Sequence, residues 1–250
     1  MLSINKKKLI VQLAQKKQRD QHNLFVAEGA KLASDLVRGG LHPTYVVGLP
    51  IAIEPFRAVC TDVNDCTEQE LKAISQLKTP SKLIAIFQKP VINVDTDNNL
   101  VLVLDDIQDP GNLGTIIRTA DWFGLRRIIC SKNCADAYNP KTIQATMGAI
   151  ARVRVEETDL DALFKSNEQG AQLPVYGTFL EGSNIYSTPL TQQGYIIMGN
   201  EGKGIATTLQ HYVSHKLFIP SYPLGATTSE SLNVAAATAI VCSEFRRRTF

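Results

Sequence analysis

Five consecutive apolar residues at 100–104, Leu-Val-Leu-Val-Leu, constrain this chain more than any other feature. A strand with one face in water alternates apolar and polar side chains. An unbroken apolar run has both faces buried, as in a parallel sheet covered by helices. Similar runs recur at 127–130, 175–178, 195–198 and 216–219. Helical patterns lie between and after them, at 113–123, 140–147, 160–167 and 231–247. This alternation predicts an α/β fold with a parallel sheet and helices on both faces over 100–250.

Residues 1–90 read as a separate, small α/β unit. A basic helical start leads to a strand at 24–27 and a helix at 28–38 that stops at Gly39-Gly40. Short strands are expected at 45–49, 57–60 and 83–87. Thr67 and Glu70 have the spacing of a capping box, which predicts a helix from there to about 77. The stretch 91–99, with Asp95, Asp97, Asn98 and Asn99 and no period, reads as a linker.

Composition excludes a few classes. Hydrophobic residues at 44% and charged residues at 20% are incompatible with a disordered or collagen-like chain. Lys and Arg number 26 against 24 acids, a net +2 that does not point to nucleic acid. The distribution is more informative. Lys6, Lys7, Lys8, Lys16, Lys17 and Arg19 cluster near the start, and Arg246, Arg247 and Arg248 near the end. They are either phosphate contacts or solvated helix faces. Five cysteines, an odd number without a C-x-x-C pair, read as inert thiols in a reducing compartment. Cys130 and Cys134 have loose metal-like spacing but no second pair. No run approaches the ~18 apolar residues of a membrane span, and 9–14 is too short for a signal peptide. A soluble cytoplasmic protein without a membrane association is expected.

Ligands of open parallel sheets bind beyond the carboxyl ends of the strands, so the loops after 104, 198 and 219 are the candidate site. The first runs through Asp109-Pro110-Gly111 to Asn112, which reads as a helix N-cap. Arg118 follows six residues later. A cation near a helix start gains nothing from the dipole. It either serves a function or pairs with Asp105, Asp106 or Asp121. The second loop, Gly199-Asn200-Glu201-Gly202-Lys203-Gly204, lets backbone approach a ligand closely. It is neither a Walker loop, which needs Ser or Thr after Gly-Lys, nor a dinucleotide fingerprint. Glu201 would repel a phosphate, so the contact there is expected to be cationic or neutral. The third loop enters a helix at 231–234, with Ser231 a natural N-cap and Asn233 a poor helix former available to a ligand. Small apolar residues follow at 235–241. His211 and His215 share i, i+4 spacing without a third ligand, so no metal site is expected. No G-x-S-x-G or HExxH motif is present.

Together the segments 104–125 (LDDIQDPGNLGTIIRTADWFGL), 196–205 (IIMGNEGKGI) and 219–240 (IP…SLNVAAATAI) resemble motifs one, two and three of the SpoU (TrmH-like) branch of the SPOUT RNA methyltransferases. The stretch DAYNPKTIQATMGAIARV between them fits as well. QRDQHNLFVAEGAKLASDL at 18–36 resembles the small substrate-binding module that precedes the catalytic domain in ribosomal-RNA members.

The resemblance implies S-adenosylmethionine as methyl donor and an RNA ribose 2′-hydroxyl as acceptor, with ribosomal RNA favoured over transfer RNA. It implies a homodimer with the site at the interface, and a trefoil knot in the 100–250 domain. By motif position, Asn112, Arg118, Glu201, Ser231 and Asn233 take catalytic roles. Gly199, Glu201, Gly202, Ile219 and Leu232 line the cofactor. Ala235 stands where the family usually has Ser, and the loop between Pro220 and Ser231 is longer than usual. The same reaction on transfer RNA, a catalytically silent RNA-binding relative and a nucleotide-dependent enzyme using 199–204 are the competing readings.

Overall fold

The computed structural model describes residues 2–94, 100–223 and 229–247. Residues 95–99 of the expected linker, 224–228 of the long loop and Arg248 lie outside the described residues. The chain divides into two compact units, one of residues 1–92 with Asp136–Arg152, the other of Asn93–Ala135 with Val153–Phe250.

The first unit begins with α1 (Ile4–Gln12) and α2 (Lys16–His22), then β1 (Leu24–Glu28), α3 (Ala30–Arg38) and β2 (Pro43–Gly48). A short α4 (Pro50–Ile53), β3 (Val63–Asp65), α5 (Glu68–Ile74) and β4 (Leu83–Gln88) complete it. The strands form one sheet in the order β1-β4-β2-β3, with only β2 and β3 parallel. One face packs Val26, Tyr45, Val47, Ile84 and Ile86 against Ile10 of α1, Leu13 at its C-cap, and Leu71 and Ile74 of α5. The Thr67 capping box forms as expected, with Thr67 Oγ1 accepting from the Glu70 N–H at 3.2 Å. The strand expected at 57–60 is absent. A 3-10 turn at Glu54–Phe56 ends there, and β3 forms a few residues later. Backbone N–H groups of 57–60 close turns instead of a ladder: Arg57 donates to the Glu54 carbonyl at 3.2 Å, and Val59 and Cys60 to the Phe56 carbonyl at 3.1 and 2.9 Å.

Residues 136–152 complete this unit. They carry α7 (Pro140–Thr146), capped by Asn139 Oδ1 on the Lys141 N–H at 2.9 Å. Phe25 of β1 packs with Phe87 and Tyr138 at ring-centroid distances of 5.7 and 5.3 Å. Gln144 Nε2 donates to the Glu28 carbonyl at 2.7 Å. Arg19, 2% exposed, donates to the Leu13 and Ala14 carbonyls at 2.7 Å and pairs with Asp136. Its charge is thus spent inside the fold. Lys6 and Lys7 likewise pair with Asp62 at 2.5 Å and Glu70 at 2.8 Å. Lys6, Lys7 and Arg19 of the basic start thus hold the unit together.

The second unit contains β5 (Leu100–Leu104), α6 (Pro110–Trp122), β6 (Arg127–Cys130) and β7 (Arg154–Glu157). It continues through α8 (Leu160–Gln169), β8 (Val175–Asn184), β9 (Gly194–Met198), β10 (His215–Phe218) and α9 (Val234–Arg247). The six strands run parallel in the order β10-β8-β9-β5-β6-β7. On one face Val101, Val103, Ile129 and Ile197 pack against Leu160 and Phe164 of α8. On the other, α6 and α9 lie against each other. Leu102, Val103 and Leu104 are fully buried, as a central strand covered on both sides requires.

Three expectations change. β7 was not anticipated, because its Arg-Val-Glu-Glu sequence is that of a half-exposed edge strand. β10, whose apolar run predicts burial on both faces, is the opposite edge, with His215 and Lys216 exposed. His211 and His215 share no helix. His211 sits in a 3-10 turn against Tyr212, and His215 opens β10 and stacks on Tyr176 at 4.8 Å. Among the described residues, no His, Cys, Asp and Glu group of three or more is arranged to hold a metal. No helix of the described residues is long and apolar enough to cross a membrane.

Candidate active site

Strand order locates the site. From β5 the chain winds outward through β6 to β7, then crosses over to fill the other side with β8 and β9. The order reverses between β5 and β9, and crevices form at the carboxyl edge of such a switch point. The loops leaving Leu104 and Met198 therefore lie side by side. The Asp105 N–H donates to the Met198 carbonyl at 2.9 Å.

The β5 loop turns through Asp106, whose φ of +58° is left-handed. Asp106 and its neighbour hold the β9 loop. Asn200 Nδ2 donates to the Asp106 carbonyl at 2.8 Å and to its carboxylate at 3.3 Å. Asp105 Oδ2 accepts the Ala206 N–H at 2.8 Å. Burial raises the Asp105 pKa, partly offset by that N–H, and the Asp106 charge raises it further. Within the β9 loop, Asn200 and Gly204 exchange two backbone hydrogen bonds at 3.0 and 2.9 Å. Asn200 Oδ1 accepts the Gly202 and Lys203 N–H groups at 2.9 and 3.0 Å. The loop is a closed hairpin with Glu201, Gly202 and Lys203 exposed at its tip. Gly199 permits it, since a Cβ there would stand 2.3 Å from the Gly204 carbonyl carbon.

The helix starts differ from expectation. Asp109, not Asn112, caps α6, its Oδ1 accepting the Asn112 N–H at 2.8 Å with Pro110 at the first helical position. Asn233, not Ser231, caps α9, its Oδ1 accepting from Ala235 N at 3.0 Å and Ala236 N at 3.3 Å. In both cases several Asx or Ser residues precede the helix, and the one in reach of the free N–H groups takes the role. Released from capping, the Asn112 amide is available to the crevice.

There the three loops meet. Asn112 Nδ2 donates to the Glu201 carboxylate. Asn233 Nδ2 donates to Asn112 Oδ1 at 3.1 Å and reaches Glu201 Oε1 at 3.5 Å. Two amides and one carboxylate, from residues up to 121 apart in sequence, thus form a closed junction. Asn233→Asp would keep the cap acceptor but remove the donor and set a carboxylate beside Glu201. Thermal stability is expected to change little, because Asp and Asn cap alike. The activity that the resemblance implies is expected to drop by about ten- to a hundred-fold, since one misplaced positioning contact can cost that much. Equal activity of variant and parent would show that the junction is only structural.

Arg118, Ser231, Ile219 and Leu232 stand outside this junction. Ser231 is exposed in the approach to α9, Leu232 is 48% exposed, and Ile219 is half-buried just past β10. Arg118 is exposed on α6 and takes no hydrogen bond or ion pair among the described residues. The pairings considered for it are used otherwise: Asp121 binds Arg126, Asp105 binds Ala206, and Asp106 binds Asn200. Six residues past Asn112, it faces about 120° away around the helix. Trp122 lies one turn further on the same stripe and is 84% exposed. Asp105, Asp106 and Asn200 escaped the sequence reading. Their one signal was the crowding of acids and amides beside two adjacent strand ends.

Comparison with known proteins bears on this arrangement. The sequence model of the SpoU rRNA Methylase family matches residues 99–243, and that of the MRM3-like substrate binding domain matches residues 5–85. The chain is 31% identical over 233 residues to the 23S rRNA (guanosine(2553)-2′-O)-methyltransferase RlmP of Bacillus subtilis, covering 92% of each. Among solved structures, it superposes on a TrmH-family protein of Porphyromonas gingivalis with a TM-score of 0.85, at 39% identity over 99% of both chains. It superposes on an AdoMet-bound rRNA methyltransferase of Sinorhizobium meliloti with a TM-score of 0.84, at 29% identity over 100% of this chain and 98% of the other. A family sequence model spanning more than half the chain, and a relative alike along nearly all of it, carry one conclusion: this chain belongs to the SpoU rRNA methylase family and is an RNA methyltransferase.

Proposed function

We propose that the chain transfers a methyl group from S-adenosylmethionine to a ribose 2′-hydroxyl of large-subunit ribosomal RNA. The junction of Asn112, Glu201 and Asn233 carries this reading, because it unites the three family motifs at one strand edge. The residues present suit this cofactor. The β9 hairpin offers backbone groups and a carboxylate rather than a phosphate cradle, and Leu232 offers exposed apolar surface. A cationic cofactor that carries no phosphate matches that donor set. Backbone of Gly199, Gly202 and Ile219, with the Leu232 side chain, would hold it. When bound, it supplies a methyl group on a positively charged sulfur.

The chain's own residues do the rest. Arg118 brings a planar guanidinium with five N–H donors and no acceptor. Its role is to orient the ribose or an adjacent phosphate and to stabilise negative charge as it develops on the 2′-oxygen. Asn112 and Asn233 position the acceptor against the hairpin, Glu201 locks the hairpin to both, and Ser231 contributes a hydroxyl at the rim.

Arg118 faces away from its own junction, which supports a homodimer in which each subunit lends its Arg118 to the other's crevice. The exposed stripe of Arg118 and Trp122 on α6 is the surface for that contact. A trefoil knot is proposed for the carboxyl-terminal segment. It is supported by a chain that leaves edge strand β10 and yet returns Asn233 past β8 to the β5–β9 crevice. The first unit is proposed to bind the RNA substrate, in the cytoplasm.

The test is transfer of radiolabelled methyl from S-adenosylmethionine to ribosomal RNA prepared from cells lacking the protein, followed by mapping of the ribose methylation. Label at one 2′-position of large-subunit RNA is expected. Label on transfer RNA alone, or none on either, would overturn the proposal.

A further inference from the structure

The first unit holds a cleft of about 320 Å³ that the methyl-transfer chemistry does not use. Its apolar walls come from Val11 of α1, Ala73 and Ile74 of α5, and Pro140 of α7. Val11 is 50% exposed, so the cleft is open to solvent. Ser75 and Gln76, just past α5, complete it. Both are fixed from behind, because the buried Glu28 carboxylate accepts the Ser75 hydroxyl at 2.7 Å and the Gln76 N–H at 2.5 Å. The volume is at the lower end for small-molecule sites, which suits a single ring system.

Two lining amides each have one group spent and one unspent. Gln76 Nε2 donates to the Ile10 carbonyl at 2.7 Å, while its Oε1 is buried without a partner among the described residues. Buried acceptors are nearly always paired in a folded chain, so this oxygen points to a donor from outside it. Asn139 Oδ1 accepts the Lys141 N–H at 2.9 Å, and its Nδ2 takes no partner among the described residues. The charge around the cleft is one-sided. Lys141 lines it, and no Asp or Glu is among its described lining residues. Lys8 lies one turn before Val11, Lys72 precedes Ala73, and Lys17 follows Ala14 by three residues. Unlike Lys6, Lys7 and Arg19, these four lysines are exposed and take no ion pair among the described residues.

We infer that this cleft seats one unpaired nucleobase of the RNA substrate, with the four lysines on the flanking phosphates. The inference rests on the reading that the first unit binds RNA. Every base is a flat ring with a donor beside an acceptor along its edge, and unpaired bases are read through that edge. Asn139 Nδ2 donates to the acceptor of the base, Gln76 Oε1 accepts from its N–H, and the aliphatic walls cover its faces. A base held in a duplex offers no free edge and stays in its stack, so the seat selects single-stranded RNA. Asn139, Pro140 and Lys141 reach the cleft from the segment between β6 and β7, far outside residues 5–85. The substrate-binding sequence alone therefore does not complete the seat.

Fluorescence anisotropy of the full-length protein tests this with two probes, a short labelled single-stranded RNA of mixed sequence and the same RNA annealed to its complement. The single strand is expected to bind about ten-fold tighter, the scale that one seated base contributes. Ala73→Leu fills the cleft from an exposed helix position and is expected to abolish that preference. Duplex binding, thermal unfolding and affinity for S-adenosylmethionine are expected to stay as in the parent. Ala14→Leu fills the cleft from the exposed turn after α1 and is expected to act alike, so the test survives a folding failure of either variant. Lys141→Ala is expected instead to weaken both RNAs and to lower the salt dependence of binding by about one unit of slope. Equal binding of both RNAs by the parent, or a preference that persists in the leucine variants, would overturn the seat alone. A parent that binds neither RNA would overturn the RNA-binding role of the first unit with it.

Discussion

Replacing Arg118 with alanine is expected to cut methyl transfer by about a thousand-fold or more, the scale of losing one preorganised charge contact in a transition state. Binding of S-adenosylmethionine, measured calorimetrically, is expected to stay within a few-fold. The separation follows from placement. Arg118 is exposed and pairs with nothing among the described residues, so its removal breaks no fold contact. It lies outside the junction of Asn112, Glu201 and Asn233 that braces the hairpin. In the proposed mechanism its contribution falls on the reacting oxygen. A lysine keeps the charge but not the planar fork, so Arg118→Lys is expected to recover only part of the rate. Mixed dimers of Arg118→Ala and Asn233→Asp subunits are expected to regain activity, since one of their two crevices then holds both intact groups. Parallel loss of cofactor binding and methyl transfer in Arg118→Ala would refute this division of labour.

Gly199→Ala is expected to have the second large effect, on binding of the cofactor in the proposed pocket. The added Cβ would lie 2.3 Å from the Gly204 carbonyl carbon and 2.4 Å from the Ile205 nitrogen. Both are backbone atoms in a hairpin closed by two hydrogen bonds, so no flexible side chain can yield. Overpacking of this kind costs roughly 1–3 kcal/mol where neighbours can shift, and more where they cannot. The hairpin must open, carrying Glu201 away from Asn112. Affinity for S-adenosylmethionine is expected to fall about a hundred-fold or more, with methyl transfer lost alongside. Gly202→Ala is the control for the loop's fold, because a Cβ there meets nothing closer than 3.7 Å. Thermal unfolding should be unchanged in Gly202→Ala and lowered in Gly199→Ala. Full cofactor affinity in Gly199→Ala would mean that the hairpin does not form the pocket wall.

Much of this architecture was readable from local pattern. The run Leu100–Leu104 is a strand buried on both faces, and the Thr67–Glu70 pair is a capping box. These features depend on near neighbours, so spacing exposes them. Cap identity was misread at Asn112 and Ser231 because each helix start offers two eligible residues. The choice rests on backbone direction a few ångströms away. The edge strand β7 was missed because a half-exposed Arg-Val-Glu-Glu segment buries too little to show a pattern.

Hydrophobic periodicity and loop residues settled that this chain builds a parallel α/β sheet with chemistry at its strand ends, since burial period and turn chemistry are written in adjacent residues. The meeting of Asn112 with Glu201 and Asn233 and the outward aim of Arg118 came from the folded chain alone. Each depends on strand order, and β5 lies beside β9 through crossovers that no stretch of sequence encodes locally.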